Sequence, residues 1–214
     1  KAYKRIYEFC NNDLSSFYLD ILKDRLYTHG KNSKSRRGAQ TVIYDILNSL
    51  VKMMAPILSF TAEEIWQNMP KVKGEQAVES VHLLDWPKQE SVYCNKEVIA
   101  DFKKIFDLRA PVLKRLEEER SKGKIGSSLE AKLVLCLNKD LFGTFDKYIG
   151  DLPFLFIVSQ VELKRGEGQE AKIEILAAQG QKCARCWNFT TDVGEDKKHP
   201  SICLRCVEAI EKNY

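Results

Sequence analysis

Residues 183–206 read CARCWNFTTDVGEDKKHPSICLRC. Two Cys-x-x-Cys pairs, Cys183/Cys186 and Cys203/Cys206, flank a polar loop, residues 187–202. A Cys-x-x-Cys turn aims both sulfurs at one point, and two such turns complete a tetrahedron around Zn2+. The separation falls within the window of about 15–20 residues typical of paired zinc turns. Four thiolates leave no position for water, so the expected metal is one structural Zn2+. Two redox dithiols or four unrelated thiols are the competing readings. A redox motif, however, is expected once, beside a βαβ pattern. His199 lies in the intervening loop, and with four sulfurs at hand it is expected to be a bystander.

The other three cysteines, Cys10, Cys94 and Cys136, are scattered, as inert thiols are in a reducing compartment. Cytoplasm is therefore the expected location. Hydrophobic residues make up 44% of the 214 and charged ones 30%, the balance of a globular chain with its own core. No apolar run approaches the roughly 18 residues of a membrane helix, so no membrane partner is expected. The chain opens at Lys1, without Met and inside helical pattern (KAYKRIYEF), and so reads as part of a longer protein.

Periodicity divides the chain in three. Apolar residues at 14, 17, 18, 21, 22 and 26 make a helical stripe over 13–28. Ser33 and Ser35 are candidate N-caps for a second helix reaching Ala55, its inner face Val42, Ile43, Ile46, Leu47, Leu50, Val51 and Met54. Pro56 ends or kinks it. Thr61 with Glu64 forms a capping box for a third helix that Pro70 ends, and VHLLDWP (81–87) is expected to pack across the bundle. Residues 95–121 form an amphipathic helix kinked at Pro111. Arg109 lies on its apolar stripe, either snorkelling out or paired with a carboxylate. After Ser128 the pattern changes: Ala131, Leu133, Leu135 and Leu137 alternate as a strand, 141–149 returns to helix, and FLFIVSQVEL and AKIEILAA read as strands. The expected fold is thus a mainly α helical bundle (1–122), a small α/β unit (123–180) and a C-terminal four-cysteine zinc module (181–214).

No enzyme chemistry is legible. The three histidines, His29, His82 and His199, are dispersed, and no nucleophile–base constellation or Gly-rich phosphate loop occurs. The charge pattern says more. The net charge is +4, and KNSKSRR (31–37) gathers Lys31, Lys34, Arg36 and Arg37 without an acid. A second basic run, 103–124, ends in Lys124 and is partly offset by Glu117, Glu118 and Glu119. Such patches suit phosphate backbones, although a solvated face is the plainer reading. The tail, 181–214, has six Lys/Arg against five Asp/Glu; with Zn2+ and four thiolates counted its balance is −1. If it meets RNA, it does so by placing particular groups. Trp187 beside Cys186 is the first candidate, either stacking on an unpaired base or covering the zinc site; Arg185 is the second. Lys34, Arg36, Arg37 and Lys124 are the candidate phosphate contacts.

The segments SFYLDILKDRLY, SRRGAQTVIYDILNSLVKMMAPILSFTAEEIW, IGSSLEAKLVL and CARCWNFTTDVGEDKKHPSICLRC, in that order, resemble the C-terminal part of the bacterial isoleucyl-tRNA synthetase family. MAPILSFTAEEIW is shared with related class Ia synthetases, and the four-cysteine tail after a small α/β unit narrows the resemblance to the isoleucine enzyme. KNSKS (31–35) looks like the KMSKS loop that holds ATP in class I synthetases. Here it lies in a polar linker with no HIGH motif before it, and is read as coincidental. The resemblance implies that the helical part binds the anticodon stem-loop of isoleucine tRNA, with catalytic and editing domains upstream in the same chain. They would charge the tRNA with isoleucine using ATP. A monomer is expected. The other readings are a zinc-containing protein–protein adaptor, the equivalent region of another class Ia synthetase, and an enzyme whose site is not legible.

Overall fold

The computed structural model describes residues 1–71, 78–88, 93–168 and 170–211. The last three residues of the expected zinc module, 212–214, lie outside them. The chain forms two compact units, one from Lys1–Asp20 and Lys34–Tyr93, the other from Ile21–Ser33 and Cys94 onward.

The first unit is helical. Helix α1 (Ala2–Glu8) runs into a wider π-helical stretch, Phe9–Tyr18. The expected helix over 13–28 therefore starts earlier; it includes α2 (Leu19–Ile21), and its last part, α3 (Lys23–Thr28), belongs to the second unit. Helix α4 spans Lys34–Met54, which places Ser33 at its N-terminal boundary and Ser35 inside it. Of its expected inner face, Leu50 and Val51 are buried, while Val42 is exposed. Pro56 stops α4, yet the amides of Ile57 and Leu58 both donate to the Met54 carbonyl. This tight turn returns the chain to helix at Ser59, two residues before Thr61. Thr61 is thus the third residue of α5 (Ser59–Asn68), and the expected capping box does not form. Val51, Ala55, Ala62, Trp66, Met69 and Val81 make the core. Val81 is the only fully buried residue of VHLLDWP; Leu83 and Trp86 are exposed, because a single 3-10 turn can bury only one of its sides.

In the second unit, Asn95 caps α6 (Lys96–Ser121) by accepting from the amides of Glu97 and Val98. The helix continues through Pro111. Strand β1 (Ala131–Leu137) is central, with β2 (Gln160–Arg165) parallel on one side and β3 (Lys172–Ala177) antiparallel on the other. Leu135 is opposite both Leu163 and Ile173. The parallel pairing requires a crossover. It is supplied by α7 (Lys139–Lys147), capped by Asn138, and by α8 (Leu152–Phe156). Residues 154–156, expected as strand, are therefore helix. Pro153 fits the first turn of α8, where no amide hydrogen is needed. Ile157, at φ 55°, ends the helix in the left-handed region before β2 begins. The Nε of Arg109 donates to the Leu155 carbonyl at 3.1 Å, at the open end of α8. Asp101, buried in α6, is held by Lys147 Nζ and Tyr148 Oη, both at 3.2 Å.

Candidate metal centre and nucleic-acid interface

Two short strands, β4 (Gln181–Lys182) and β5 (Phe189–Thr190), pair around the first cysteine turn, and helix α9 (Leu204–Glu211) starts inside the second. Gly180 makes the entry possible. Its φ is 94°, and a Cβ there would come within 2.1 Å of the Thr190 carbonyl oxygen. The Asp192 carboxylate accepts from the Leu204 amide at 3.0 Å at the N-terminus of α9.

All four cysteines are buried, and their sulfurs lie within 4.8 Å of one another. Cys186 Sγ and Cys203 Sγ are 3.8 Å apart, the edge of a tetrahedron with Zn–S bonds of about 2.3 Å. Among the described residues, this is the one group able to hold a metal ion in this way, and His199 is not part of it. His199 Nε2 instead lies 3.9 Å from Glu211 Oε1. The Cys186 and Cys203 thiols are driven in opposite directions. A hydrogen bond from Cys206 brings the Cys186 thiol down to about 4, whereas burial pushes Cys203 up to about 11. A dication removes that conflict by binding four thiolates at once. Two N–H groups further offset the negative sulfurs: Cys203 N–H to Cys183 Sγ at 3.4 Å and Arg185 Nη1 to Cys206 Sγ at 3.6 Å. The donor set fits a structural Zn2+.

Trp187 follows Cys186 at φ 66°, in the left-handed region, and is 61% exposed. The apolar packing around the sulfurs comes from Ile202, Val207, Val193 and Ile210. Lys182 Nζ lies 5.7 Å from the centre of the Trp187 ring. Arg185 is half-buried, its Nη1 shared between Cys206 Sγ and the Thr28 carbonyl. That nitrogen of the guanidinium is thus engaged within the protein. Lys124, with Lys122, pairs with the buried Glu119, at 2.6 and 2.8 Å. Hydrogen bonds from these two lysines hold the Glu119 carboxyl down to about 2. Much of the positive charge expected of Lys124 is thus already matched. In the first unit, Lys34 and Arg37 are exposed on the first turn of α4, and Arg36 is half-buried.

Residues 1–135 match the family described as the anticodon-binding domain of tRNA ligase. The chain belongs to this family. Residues 180–209 of this anticodon-binding chain also match the zinc finger found in FPG and IleRS, the segment that carries the four sulfurs. Similar relatives are the isoleucine–tRNA ligases of Caldanaerobacter subterraneus subsp. tengcongensis (44% identical over 97% of this chain), Nitrosomonas europaea (43% over 97%) and Thermotoga petrophila (38% over 99%). The chain spans 23%, 22% and 23% of their respective lengths.

Two groups of contacts that seat the zinc module were not anticipated from the sequence. Ser159 Oγ donates to the Leu129 carbonyl and accepts the Phe189 amide (2.8 Å), while the Gln160 side chain both donates to and accepts from the backbone of Gln179. On another side, Arg205 grips Asp24. Burial pushes the Asp24 carboxyl up, but hydrogen bonds from Arg205 and Thr28 and the Arg205 charge outweigh it, leaving it below its ordinary value. Neither set carries a local motif, since the partners are distant in sequence. Among the described residues, no helix is long and apolar enough to cross a membrane.

Proposed function

We propose that this chain is the tRNA-binding C-terminal region of an isoleucine–tRNA ligase, holding the anticodon stem-loop of isoleucine tRNA. Catalytic and editing domains upstream in the same cytoplasmic, monomeric protein would charge that tRNA with isoleucine and ATP. The observation that carries the site assignment is Trp187. A bulky residue in the left-handed region costs about 1–2 kcal/mol that glycine would avoid. The ring does not recover that cost by burial, being 61% exposed. An exposed ring on a metal-fixed turn is well suited to stack on an unpaired anticodon-loop base, with little entropy lost on binding. Lys182 stands beside it to meet a phosphate. Lys34 and Arg37, with Arg36 behind them, supply contacts that position the RNA without reading sequence.

The test is a tRNA titration with the Trp187→Ala variant, after metal analysis confirms that it retains zinc. Loss of roughly 1–3 kcal/mol of binding with the salt slope unchanged supports stacking. Full-strength binding by the zinc-loaded variant removes Trp187 from the interface, and a protein partner captured without RNA would favour an adaptor role.

A further inference from the structure

The two ligating turns carry the same residue at the same place. Cys183-Ala-Arg-Cys186 and Cys203-Leu-Arg-Cys206 each set an arginine directly before the second cysteine. Both guanidinium groups reach one short segment far upstream, residues 23–29. Arg205 meets the Asp24 carboxylate with both terminal nitrogens, at 2.5 and 3.0 Å, and its Nη1 lies 2.9 Å from His29 Nε2. Arg185 Nη1 donates to the carbonyl of Thr28, the last residue of α3, while also facing Cys206 Sγ. That carbonyl has no partner within its own helix, so a cation there completes the helix end. The Thr28 hydroxyl lies 2.6 Å from Asp24 Oδ1, and the His29 ring stands edge-on to Phe154 with ring centres 6.1 Å apart.

Helix α3 is too short to be stable alone. Arg25 pairs with Asp151, outside the metal centre, but the anchors of Asp24 and of the Thr28 carbonyl come from turns whose shape rests on four sulfurs and few apolar side chains. We propose that the loaded metal centre is a clamp on residues 23–29, with Arg185 and Arg205 as its positioning residues. Zinc holds both turns, the turns aim both arginines, and the arginines order the helix end. Removing the metal releases the segment without opening the sheet, whose core is separate from the metal centre.

Amide hydrogen exchange on the full chain tests this, comparing the zinc-loaded protein with the same protein after EDTA and after zinc sulfate is added back. Amides of residues 23–29 should exchange about tenfold faster without metal and recover on readdition, while Ala131–Leu137 keep their rates. Asp24→Asn lies outside both turns and should retain one zinc per chain. It should show the faster exchange already with zinc bound, and most of its response to EDTA should disappear. Arg205→Lys keeps the charge without the two-pronged geometry and should be intermediate. The clamp is overturned if EDTA leaves residues 23–29 protected, or if it accelerates Ala131–Leu137 equally. It is likewise overturned if zinc-loaded Asp24→Asn exchanges and responds as the unaltered protein does.

Discussion

Arg205 and Asp24 stand 181 positions apart in the chain, yet form a two-pronged ion pair, Nη1–Oδ2 at 2.5 Å and Nη2–Oδ1 at 3.0 Å. The Asp24 side chain is 19% exposed and that of Arg205 35%, so the pair is neither solvent-screened throughout nor fully desolvated. A pair of this kind falls between surface bridges and buried ones. Asp24→Ala should lower the stability of the second unit by about 1–2 kcal/mol, read as a fall in the urea midpoint at constant slope. A shift no larger than that of a surface substitution would show the pair to be energetically idle.

His29 makes the same contact sensitive to pH. Burial and the nearby charges of Arg205, Arg25 and Arg185 lower its proton affinity, outweighing the opposite pull of Asp24. The unfolded chain therefore binds the proton at a higher pH than the folded one. The stability from neutral His29 is fully present above about 6.5 and declines as pH falls below it. Thiolate protonation also weakens metal binding in acid, so the comparison must be between variants. The urea midpoint of His29→Gln should fall less steeply from about pH 7 to 5.5 than that of the unaltered protein. Parallel curves would rule out a His29 contribution.

Trp187 separates folding from binding. Trp187→Gly removes the left-handed strain and should leave the zinc module as stable or more so, by up to about 1 kcal/mol. The same variant should bind tRNA roughly 1–3 kcal/mol more weakly. Chelator competition for zinc reads the first effect and RNA titration the second. A variant that loses zinc more readily would mean that the ring supports the site after all.

The basic turn of α4 should leave a different signature. Lys34→Ala with Arg37→Ala removes two exposed charges and should weaken binding to any tRNA alike. It should flatten the dependence of log binding constant on log salt by about 1–2 units. An unchanged slope would place the phosphate contacts elsewhere.

Metal analysis should return about one zinc per chain. Cys183→Ser removes one of four ligands and should unfold the module while leaving the first unit folded, since that unit has its own core around Trp66. Circular dichroism should therefore lose a minor part of its helical signal. Collapse of the whole signal would show that the units do not fold separately.

The zinc ligands were legible in the sequence because a Cys-x-x-Cys turn is local: its spacing determines where two sulfurs point, whatever surrounds it. The amphipathic stripe of Lys96–Ser121 and the alternation of Ala131–Leu137 were legible for the same reason, each period matching one element. Residues 154–156 misled because a short apolar run suits strand or helix equally, and the backbone at Pro153 and Ile157 decided for helix. Thr61 misled because a capping box works only where the helix begins, and the turn after Pro56 moved that point to Ser59. The partners of Arg185, Arg205 and Arg109 were beyond any sequence reading. Charged side chains with long stems announce that they need a partner, but not which one. Only the folded chain brings Asp24, Thr28 and Leu155 within hydrogen-bond reach of them, and directional bonds depend on that placement.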